Sequence, residues 1–418
     1  MTLSSVELFS GAGGLALGLS LAGFRSHAVV EWDKWACDTV RQNQIRGYPL
    51  VADWQLFEGD VRDWIRDGIP KLDPSILDGK LDLLAGGPPC QPFSMAGKHR
   101  ANMDTRDMFP TTVEVIRALR PRAFVVENVR GLTRPAFHNY YQYILLQLEF
   151  PDIIRKPGDS WGEHHTKLQA HKTSSRTRSM ALTYSVVPTL VNAANYGIPQ
   201  KRERVFIIGF RSDLSAQWSF PWQTHSQAAL LYEQHVSGSY WDKHRVANKS
   251  RPALRASDES AVDRMRGLNL APTHRAWLTV RDALNGIPAA ENSTRSVHNH
   301  RVQPGARTYA GHTGSPLDQP AKTLKAGDHG VPGGENMMVK DDGSVQYFTV
   351  RESARLQTFP DGYVFGGSWS EAMRQLGNAV PVELGRIVAA SVAEHLLKCD
   401  AANIAKNLSA SSAAHARS

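Results

Sequence analysis

The chain has 418 residues, of which 41% are hydrophobic and 21% charged, and its formal net charge is +8 at pH 7. This composition is typical of a globular protein and excludes a disordered or collagen-like chain. The basic charge is compatible with a polyanionic partner, although many basic proteins bind no nucleic acid. The three cysteines, Cys37, Cys90 and Cys399, are too few for a disulfide framework and indicate a reducing compartment.

No apolar run is long enough to span a bilayer, and residues 1–14 lack the basic segment of an export signal. We therefore expect a cytoplasmic protein without a membrane partner.

Five short apolar segments, rich in Val, Ile and Phe, are predicted to be strands buried on both faces of a parallel sheet. They are residues 6–9, 27–32, 81–86, 123–128 and 205–210. Helical patterns at 15–23, 34–45 and 111–120 alternate with them, which predicts an α/β fold with a doubly wound, mostly parallel sheet. Ligands of such sheets bind outside the carboxyl ends of the strands, so the residues that follow each strand are the site candidates.

The regular alternation stops near residue 212, and the next hundred residues carry scattered Trp, His, Arg, Gly and Pro. Order returns near residue 346 and includes a strong helical pattern at 381–398. We predict a catalytic and cofactor-binding domain at 1–212, a smaller irregular domain at 213–345, a return to the first domain at 346–400 and a disordered tail at 401–418. Residues 156–179 are polar and are predicted to form a loop insertion between two strands.

A glycine-rich turn follows the first predicted strand, with Gly11, Gly13 and Gly14 before a helix. Glycine allows a tight turn and lets a ligand approach the backbone, which suits a nucleotide-like cofactor. A plain strand-to-helix turn explains the same residues. A dinucleotide-binding dehydrogenase is a further alternative, but its glycines are spaced GxGxxG, and the match here is imperfect.

Polar and aromatic residues favour an adenosine site at the end of the second predicted strand and of a further, third strand that ends in GDV, residues 59–61. Glu31 lies about 20 residues after the glycine turn, where a carboxylate accepts hydrogen bonds from ribose. Trp32 offers a face on which adenine can stack, and Asp60 is positioned for the adenine amino group. These residues without a phosphate-binding loop predict S-adenosylmethionine rather than a dinucleotide.

The segment GGPPCQPFS, residues 86–94, fixes Cys90 in a proline-rich loop after the fourth strand. Proline at this density excludes a helix or strand interior, so the loop is expected to be rigid. The fifth strand ends in Glu127, whose burial costs free energy unless it has a partner or a role. A thiol nucleophile beside a carboxylic acid is the pair needed to add sulfur to C6 of a pyrimidine while N3 is protonated.

Eight motifs in order make the chain similar to the bacterial-type DNA (cytosine-5)-methyltransferase family. They are FSGAGG, EWD, GDV, GGPPCQPFS, ENV, QKRERVFIIG, RESARLQTFP and QLGNAVPV. The chain departs from the family pattern at Glu7, where Asp is more usual, and in DTRDMF at 104–109. Both departures affect only details of cofactor contact.

The resemblance implies specific residue roles. Cys90 would be the nucleophile and Glu127 would activate N3. Gln200, Arg202 and Arg204 would line the base pocket, with Arg204 at the cytosine O2. The implied cofactor residues are Phe9, Gly11, Gly13, Gly14, Glu31, Trp32, Asp60, Val61, Pro89 and Asn378. The implied DNA contacts are Gln91, Ser94, Gln200, Thr323 and Leu324, and no metal is expected.

The resemblance also implies transfer of a methyl group from S-adenosylmethionine to C5 of a cytosine that is flipped out of double-stranded DNA. Residues 213–345 would then form the target-recognition domain. We expect a monomer that is associated with the nucleoid through DNA, with a cognate restriction endonuclease as a possible partner. The alternatives are a tRNA cytosine-5 methyltransferase, whose known examples lack a large recognition domain, and a non-catalytic DNA-binding relative.

Overall fold

A computed structural model describes residues 2–89, 107–174, 182–268, 271–292, 297–326 and 336–415. Its centre is a seven-stranded sheet. The strands are β1 (Leu3–Leu8), β2 (Phe24–Glu31), β3 (Leu56–Glu58), β4 (Leu83–Gly86), β5 (Ala123–Val129), β6 (Tyr184–Asn192) and β7 (Glu203–Arg211).

The strand order is β3-β2-β1-β4-β5-β7-β6, and β1 to β5 are mutually parallel. Strand β7 pairs antiparallel with both β5 and β6. The start of β7 therefore lies at the edge of the sheet where β1 to β5 end. This α/β architecture with a mostly parallel, doubly wound sheet confirms the predicted fold class.

The helices are α1 (Gly14–Leu21), α2 (Lys34–Ile45), α3 (Val61–Asp67), α4 (Phe109–Leu119), α5 (His138–Glu149), α6 (Trp161–Lys172), α7 (Gln227–His235), α8 (Ser239–His244), α9 (Ala256–Leu268), α10 (Val280–Leu284), α11 (Val350–Leu356), α12 (Trp369–Asn378) and α13 (Val382–His415). Apolar residues of α3, α4 and α5 form one core with one face of the sheet. Those of α1 and α13 form a second core with the opposite face. The sheet is therefore covered on both faces, as its nearly continuous apolar strands require.

Each of the five predicted strands is present, with bounds that differ by a few residues, but the strand predicted at 205–210 is β7, which is antiparallel to its neighbours rather than parallel. Strand β6 was not predicted, because Pro188 lies inside it. Proline lacks the N–H that a central strand must donate, and it is tolerated at the edge of a sheet. The strand order places β6 at that edge.

Two predictions about polar segments differ from the structure. The predicted loop insertion at 156–179 contains α6, which starts with a capping box between Ser160 and Glu163. The predicted disordered tail at 401–418 is helical through His415, because α13 continues beyond residue 398. Alanine is frequent in this tail and is the strongest helix former, which favours continuation.

In the described part of residues 213–347, the elements besides α7 to α10 are short strands and 3₁₀ turns. The strands are β8 (His225–Ser226), β9 (Arg275–Ala276), β10 (Ser315–Pro316), β11 (Met337–Val339) and β12 (Val345–Tyr347). A small core joins Leu230, Tyr240, Trp241 and Trp277. A buried polar network holds the region together, because the Tyr240 hydroxyl donates to Asp318 at 2.9 Å and Arg281 pairs with the same carboxylate.

The apolar residues at the end of this region join the core that also contains α2, α11 and α12. The region is therefore attached to the main domain through a shared core. In the described part of the chain, no helix is long and apolar enough to cross a membrane.

Candidate active site

The carboxyl edge of the sheet opens into a cleft of about 750 Å³. Eight of the ten predicted cofactor residues line it: Phe9, Gly11, Glu31, Trp32, Asp60, Val61, Pro89 and Asn378. Two predicted catalytic residues, Glu127 and Arg204, line the same cleft. We call the side formed by Phe9 to Gly11, Glu31, Trp32 and Asp60 the β1–β3 wall. We call the side formed by Glu127 and Arg204 the β5–β7 wall.

The turn after β1 is held against the end of β2. Gly11 has a φ of +55°, a conformation that favours glycine, and a Cβ there would meet no atom within 4 Å. Its N–H donates to Glu31 Oε2 at 2.7 Å. Phe9 also has a positive φ, of 55°, and is strained because it is not glycine. The local backbone is thus bent to bring this turn to the cleft.

Gly13 and Gly14 are absent from the described lining of the cleft. A Cβ on Gly13 would lie 2.8 Å from the Trp54 ring, and one on Gly14 would lie 2.3 Å from the Val380 carbonyl oxygen. Both glycines therefore permit close packing between the turn and neighbouring segments. The structure does not support their predicted cofactor contact.

Glu31 is almost fully buried and well satisfied. Its Oε1 accepts hydrogen bonds from the N–H groups of Trp32 and Asp33, at 2.9 and 2.8 Å. Burial raises the pKa of Glu31, and these backbone donors together with that of Gly11 oppose the increase. The carboxylate is therefore held in one orientation at the end of β2.

Trp32 is 71% exposed and presents an apolar ring on the β1–β3 wall. An exposed indole on a concave surface is suited to stacking a heteroaromatic base. This placement agrees with the predicted adenine site.

Asp60 caps α3 by accepting a hydrogen bond from the Arg62 N–H at 2.8 Å. Its two carboxylate oxygens also accept from the Arg62 guanidinium, at 2.9 and 2.6 Å. The Arg62 guanidinium lowers the pKa of Asp60. Asp60 reaches the cleft, but an adenine amino group would share its carboxylate with Arg62.

The β5–β7 wall is built from residues distant in sequence. The antiparallel register pairs Val129 with Arg204 and Glu127 with Phe206, which brings the end of β5 beside the start of β7. Arg204 Nε lies 2.8 Å from Glu127 Oε1, and the two side chains are about nine-tenths buried. Burial raises the pKa of the Glu127 carboxyl, while Arg204 and Arg202 lower it. Burial and the two arginines therefore act in opposite directions on the proton affinity of this carboxyl group.

Arg202 was predicted to line the base pocket but is fully buried behind it. Its guanidinium donates to the carbonyl oxygens of Gly377 at 2.8 Å and Ala379 at 2.9 Å. It also donates to Leu324 at 3.4 Å. Arg202 thus ties the start of β7 to the end of α12, and it acts on Glu127 only through its charge.

The predicted DNA contacts Gln200, Thr323 and Leu324 lie close together in the structure. They are not among the described residues that line the cleft. Gln200 is fully buried, and its Oε1 accepts from the Leu324 N–H at 3.2 Å. The Thr323 hydroxyl donates to the Lys201 carbonyl oxygen at 2.7 Å. These contacts join the segment before β7 to the end of the 213–345 region, close to Ala326 in the cleft lining.

Cys90, Gln91 and Ser94 lie outside the described residues. On the near side of that gap, Asn128 Nδ2 donates to the Pro88 carbonyl oxygen at 3.0 Å. On the far side, the Tyr140 hydroxyl donates to the Asp107 carboxylate. The described residues on either side of this gap are therefore attached to β5 and α5.

The sequence analysis noted Glu7 only as a departure from the family pattern and did not name Asn128 or Arg374 as site residues, although all three line the cleft. Asn128 follows Glu127 directly. A second polar residue at the end of a buried strand could have indicated that Asn128 also faces the site. Arg374 lies one helical turn before Asn378 on α12, so helical spacing predicts a shared face. Arg374 pairs with Asp33 at 3.0 Å.

The charges in the cleft are mainly acidic. Its described lining contains five carboxyl groups, on Glu7, Glu31, Asp33, Asp60 and Glu127, and three guanidinium groups, on Arg62, Arg204 and Arg374. Each of these three arginines lies against a carboxylate. The described lining is therefore suited to a cationic ligand rather than to a pyrophosphate.

The profile of the C-5 cytosine-specific DNA methylase family matches residues 3–152 and 164–394. The chain belongs to this family. It is 29% identical over 392 residues to the type II methyltransferase M.Sau96I of Staphylococcus aureus, covering 93% of this chain and 75% of the relative. It is 28% identical to M.NgoMIV of Neisseria gonorrhoeae over 402 residues, covering 95% and 99%. The chain is accordingly a DNA (cytosine-5)-methyltransferase.

Solved structures share the fold at lower identity. A putative DNA modification methyltransferase encoded within an E. coli prophage matches with a TM-score of 0.56 and 19% identity, covering 94% of this chain and 99% of that one. The S. pombe Dnmt2 methyltransferase matches with a TM-score of 0.52 and 17% identity, covering 94% and 99%. These similarities agree with the sheet topology.

Proposed function

We propose that the chain transfers a methyl group from S-adenosylmethionine to C5 of a cytosine flipped out of double-stranded DNA, through a covalent bond between Cys90 and C6. The buried Glu127–Arg204 pair in the same cleft as Trp32 carries this proposal. The cleft thus contains an acid that can protonate a pyrimidine ring and, on its other side, a wall that can bind an adenosine. The relatives with type II names support the DNA substrate.

The lining fits S-adenosylmethionine by the chemistry of its groups. Trp32 would stack on the adenine, Glu31 would accept from the ribose hydroxyls, and the acidic lining would stabilise positive charge. When bound, this cofactor supplies an electrophilic methyl group. Phe9, Gly11, Val61, Pro89 and Asn378 would complete its surroundings.

Glu127 would donate a proton or a hydrogen bond to N3 of the cytosine. Positive charge at N3 makes C6 more electrophilic, so the Cys90 thiolate can add there. The electron pair of the C5–C6 double bond then makes C5 the nucleophile. Arg204 would keep Glu127 oriented and would lie at the cytosine O2. A base then removes the C5 proton, the C5–C6 double bond re-forms and the thiolate leaves.

A duplex that carries 5-fluorocytosine at the target position tests the covalent step. Fluorine cannot leave as a cation, so the enzyme should remain bound through Cys90 after methyl transfer. The adduct should survive boiling in detergent, require S-adenosylmethionine and be absent for Cys90→Ala. Cys37→Ala and Cys399→Ala should be trapped normally. Trapping or DNA methylation by Cys90→Ala would refute the mechanism.

Residues 213–345 would read the DNA sequence in the major groove, where base pairs are distinguishable. Replacing them with the same segment of a relative should change the methylated sequence while Cys90 still traps. Methylation-sensitive sequencing of DNA from expressing cells measures the result. Methylation at the original site after the exchange would place recognition elsewhere. Methylation of tRNA but not DNA would favour the tRNA alternative.

We further propose that the enzyme acts as a monomer beside a restriction endonuclease of the same specificity, in the cytoplasm and on nucleoid DNA. The type II names of the relatives support a restriction–modification context. Light scattering tests the first statement. Cleavage of unmethylated but not methylated DNA by an extract of the host tests the second.

A further inference from the structure

Lys201 lies at the junction between the catalytic domain and residues 213–345, which we call the recognition region. It belongs to the short segment that connects β6 to β7, directly before Arg202 and three positions before Arg204. The proposed mechanism gives Lys201 no role, although this segment leads into the β5–β7 wall. Its contacts with the recognition region therefore call for an explanation.

The backbone of Lys201 holds the end of the recognition region. Its N–H donates to the Ala321 carbonyl oxygen at 2.8 Å, and its carbonyl oxygen accepts from the Thr323 hydroxyl at 2.7 Å. The Ala321 N–H in turn donates to the Pro199 carbonyl oxygen at 2.9 Å. On the side of residue 201 these bonds use main-chain atoms, so a substitution of its side chain leaves them in place.

The side chain of Lys201 reaches a different part of the recognition region. Its Nζ lies over the Trp277 ring, 5.1 Å from the ring centroid. A cation over the face of an indole is attracted by the negative charge of the π system, and the attraction strengthens when the pair is removed from water. Trp277 is 8% exposed and belongs to the small core with Leu230, Tyr240 and Trp241. One residue of the catalytic domain therefore contacts both the end and the core of the recognition region.

Trp277 is fixed from the catalytic side as well. Its Nε1 donates to Asn195 Oδ1 at 2.9 Å, and the Asn195 carbonyl oxygen accepts from the Thr224 N–H at 3.0 Å. The Trp277 N–H donates to the Ser226 carbonyl oxygen at 3.2 Å. These bonds hold the ring in one orientation, with its face towards Lys201.

Lys201 differs from Arg204 in the partner of its charge. Arg204 pairs with Glu127, whereas no carboxylate in the described part of the chain forms an ion pair with Lys201. The Trp277 ring takes that place. Lys201 and Arg204 are at most about 11 Å apart along the chain, because an extended residue spans about 3.5 Å. A displacement of the recognition region at Trp277 therefore acts close to the acid of the β5–β7 wall.

We propose that Lys201 and Trp277 are positioning residues, whose contact fixes the recognition region relative to the β5–β7 wall so that a correctly bound duplex presents its cytosine to Glu127. The contact would act on the placement of the base and not on the general attraction of DNA. Misplacement by about 1 Å can slow a reaction about 10²-fold, so a small shift of the region is enough. This assignment rests on the proposed function of the cleft and of residues 213–345.

Methylation kinetics of the full chain test the assignment, with one duplex that carries the target site found by sequencing and one that differs from it by a single base pair. Lys201→Met keeps the length of the side chain and removes its charge. We expect kcat on the target duplex to fall about twofold to thirtyfold, the range that corresponds to one cation–π pair, while KM for DNA stays nearly unchanged. The ratio of kcat/KM between the two duplexes should fall as well.

Lys201→Arg should recover most of the rate, because a guanidinium also binds the face of an indole. Trp277→Leu should lose about as much as Lys201→Met, and the double variant should lose no more than either alone. Trp277→Phe, which keeps an aromatic face, replaces Trp277→Leu if that variant does not fold. Lys34→Met is the matched control, because the Lys34 ammonium lies 5.7 Å from the centroid of the Trp35 ring on α2, and it should leave kcat unchanged.

Thermal unfolding separates positioning from simple support. Lys201→Met should unfold near the wild-type temperature, because its main-chain bonds remain. A rate that fell only in proportion to stability, or losses that added in the double variant, would contradict the assignment. A higher KM and a weaker salt dependence on both duplexes in Lys201→Met alone would make Lys201 a phosphate contact and would also overturn it. If the wild type methylated neither duplex, the proposed function itself would fail.

Discussion

The two walls of the cleft are built in different ways. The β1–β3 wall consists of residues at or just after the ends of parallel strands, and its carboxylates accept hydrogen bonds from nearby backbone N–H groups or from Arg62. The β5–β7 wall pairs Glu127 with Arg204, which is 77 positions later in the chain. Local turns are therefore enough to position the polar groups of the β1–β3 wall. The buried acid Glu127 needs a partner that only the tertiary structure brings to it.

Removing the acid of the β5–β7 wall should have the largest effect. Glu127→Gln keeps the shape but cannot donate the proton to N3, so we expect kcat to fall by about 10²- to 10⁴-fold. Transfer of radiolabelled methyl groups to DNA measures the rate. Glu203→Gln, at an exposed ion pair with Arg130 beside this wall, is the matched control.

The pH profile sharpens this test. Because burial raises the pKa of Glu127, its proton should be present at low pH and lost as the pH rises through that value. Arg204→Met removes a positive charge that lowers this pKa, so the alkaline limb of kcat/KM should move to higher pH. An unmoved limb would assign it to another group.

Arg202→Met should mainly affect stability. The substitution leaves the carbonyl oxygens of Gly377 and Ala379 without their donor, which should lower the free energy of unfolding by about 3 kcal/mol. Urea denaturation measures the change, and Arg202→Lys should recover part of it. If Arg202→Met were as stable as the wild type but failed to bind cytosine, the base-pocket role predicted from the resemblance would be correct.

On the β1–β3 wall, Trp32→Ala should weaken S-adenosylmethionine binding by about 1–3 kcal/mol, because it removes the exposed stacking surface. DNA affinity measured without cofactor should stay nearly unchanged. Calorimetric titration provides the first value and fluorescence anisotropy the second. Unaltered cofactor binding would remove Trp32 from the site.

The smallest expected effect concerns α6, which packs on α5 where α5 holds Asp107, the first described residue after the gap that contains Cys90. Trp161 of α6 packs edge-on against Tyr140, whose hydroxyl holds Asp107. Ser160→Ala removes the cap of α6 and should cost about 1 kcal/mol of stability. Trapping should slow slightly, while cofactor affinity should remain the same. If the trapping rate and the cofactor affinity fell equally, α6 would stabilise the whole domain rather than one part of the site.

The sequence alone was sufficient to predict the parallel strands β1, β2, β4 and β5, and to name residues of the β1–β3 wall and Glu127, which line one cleft. These predictions depend on local patterns, namely apolar runs and the polar residues that end them. The helix α6 was also predictable, since Ser160 and Glu163 form a capping box, but the polar composition around it was interpreted as a loop.

Only the tertiary structure decided which similar residues face the cleft. Gly11 lies on it, whereas Gly13 and Gly14 pack against Trp54 and Val380, contacts that depend on segments far away in the chain. Arg204 reaches Glu127 and Arg202 turns to backbone carbonyls behind it, although both belong to one short motif. Residues two apart in a strand share a face, but Arg202 precedes β7, which begins at Glu203, and its guanidinium is held by the carbonyl oxygens at the end of α12. A motif therefore predicts that a site exists, and long-range packing determines whether each of its residues lines the cleft or packs in the core.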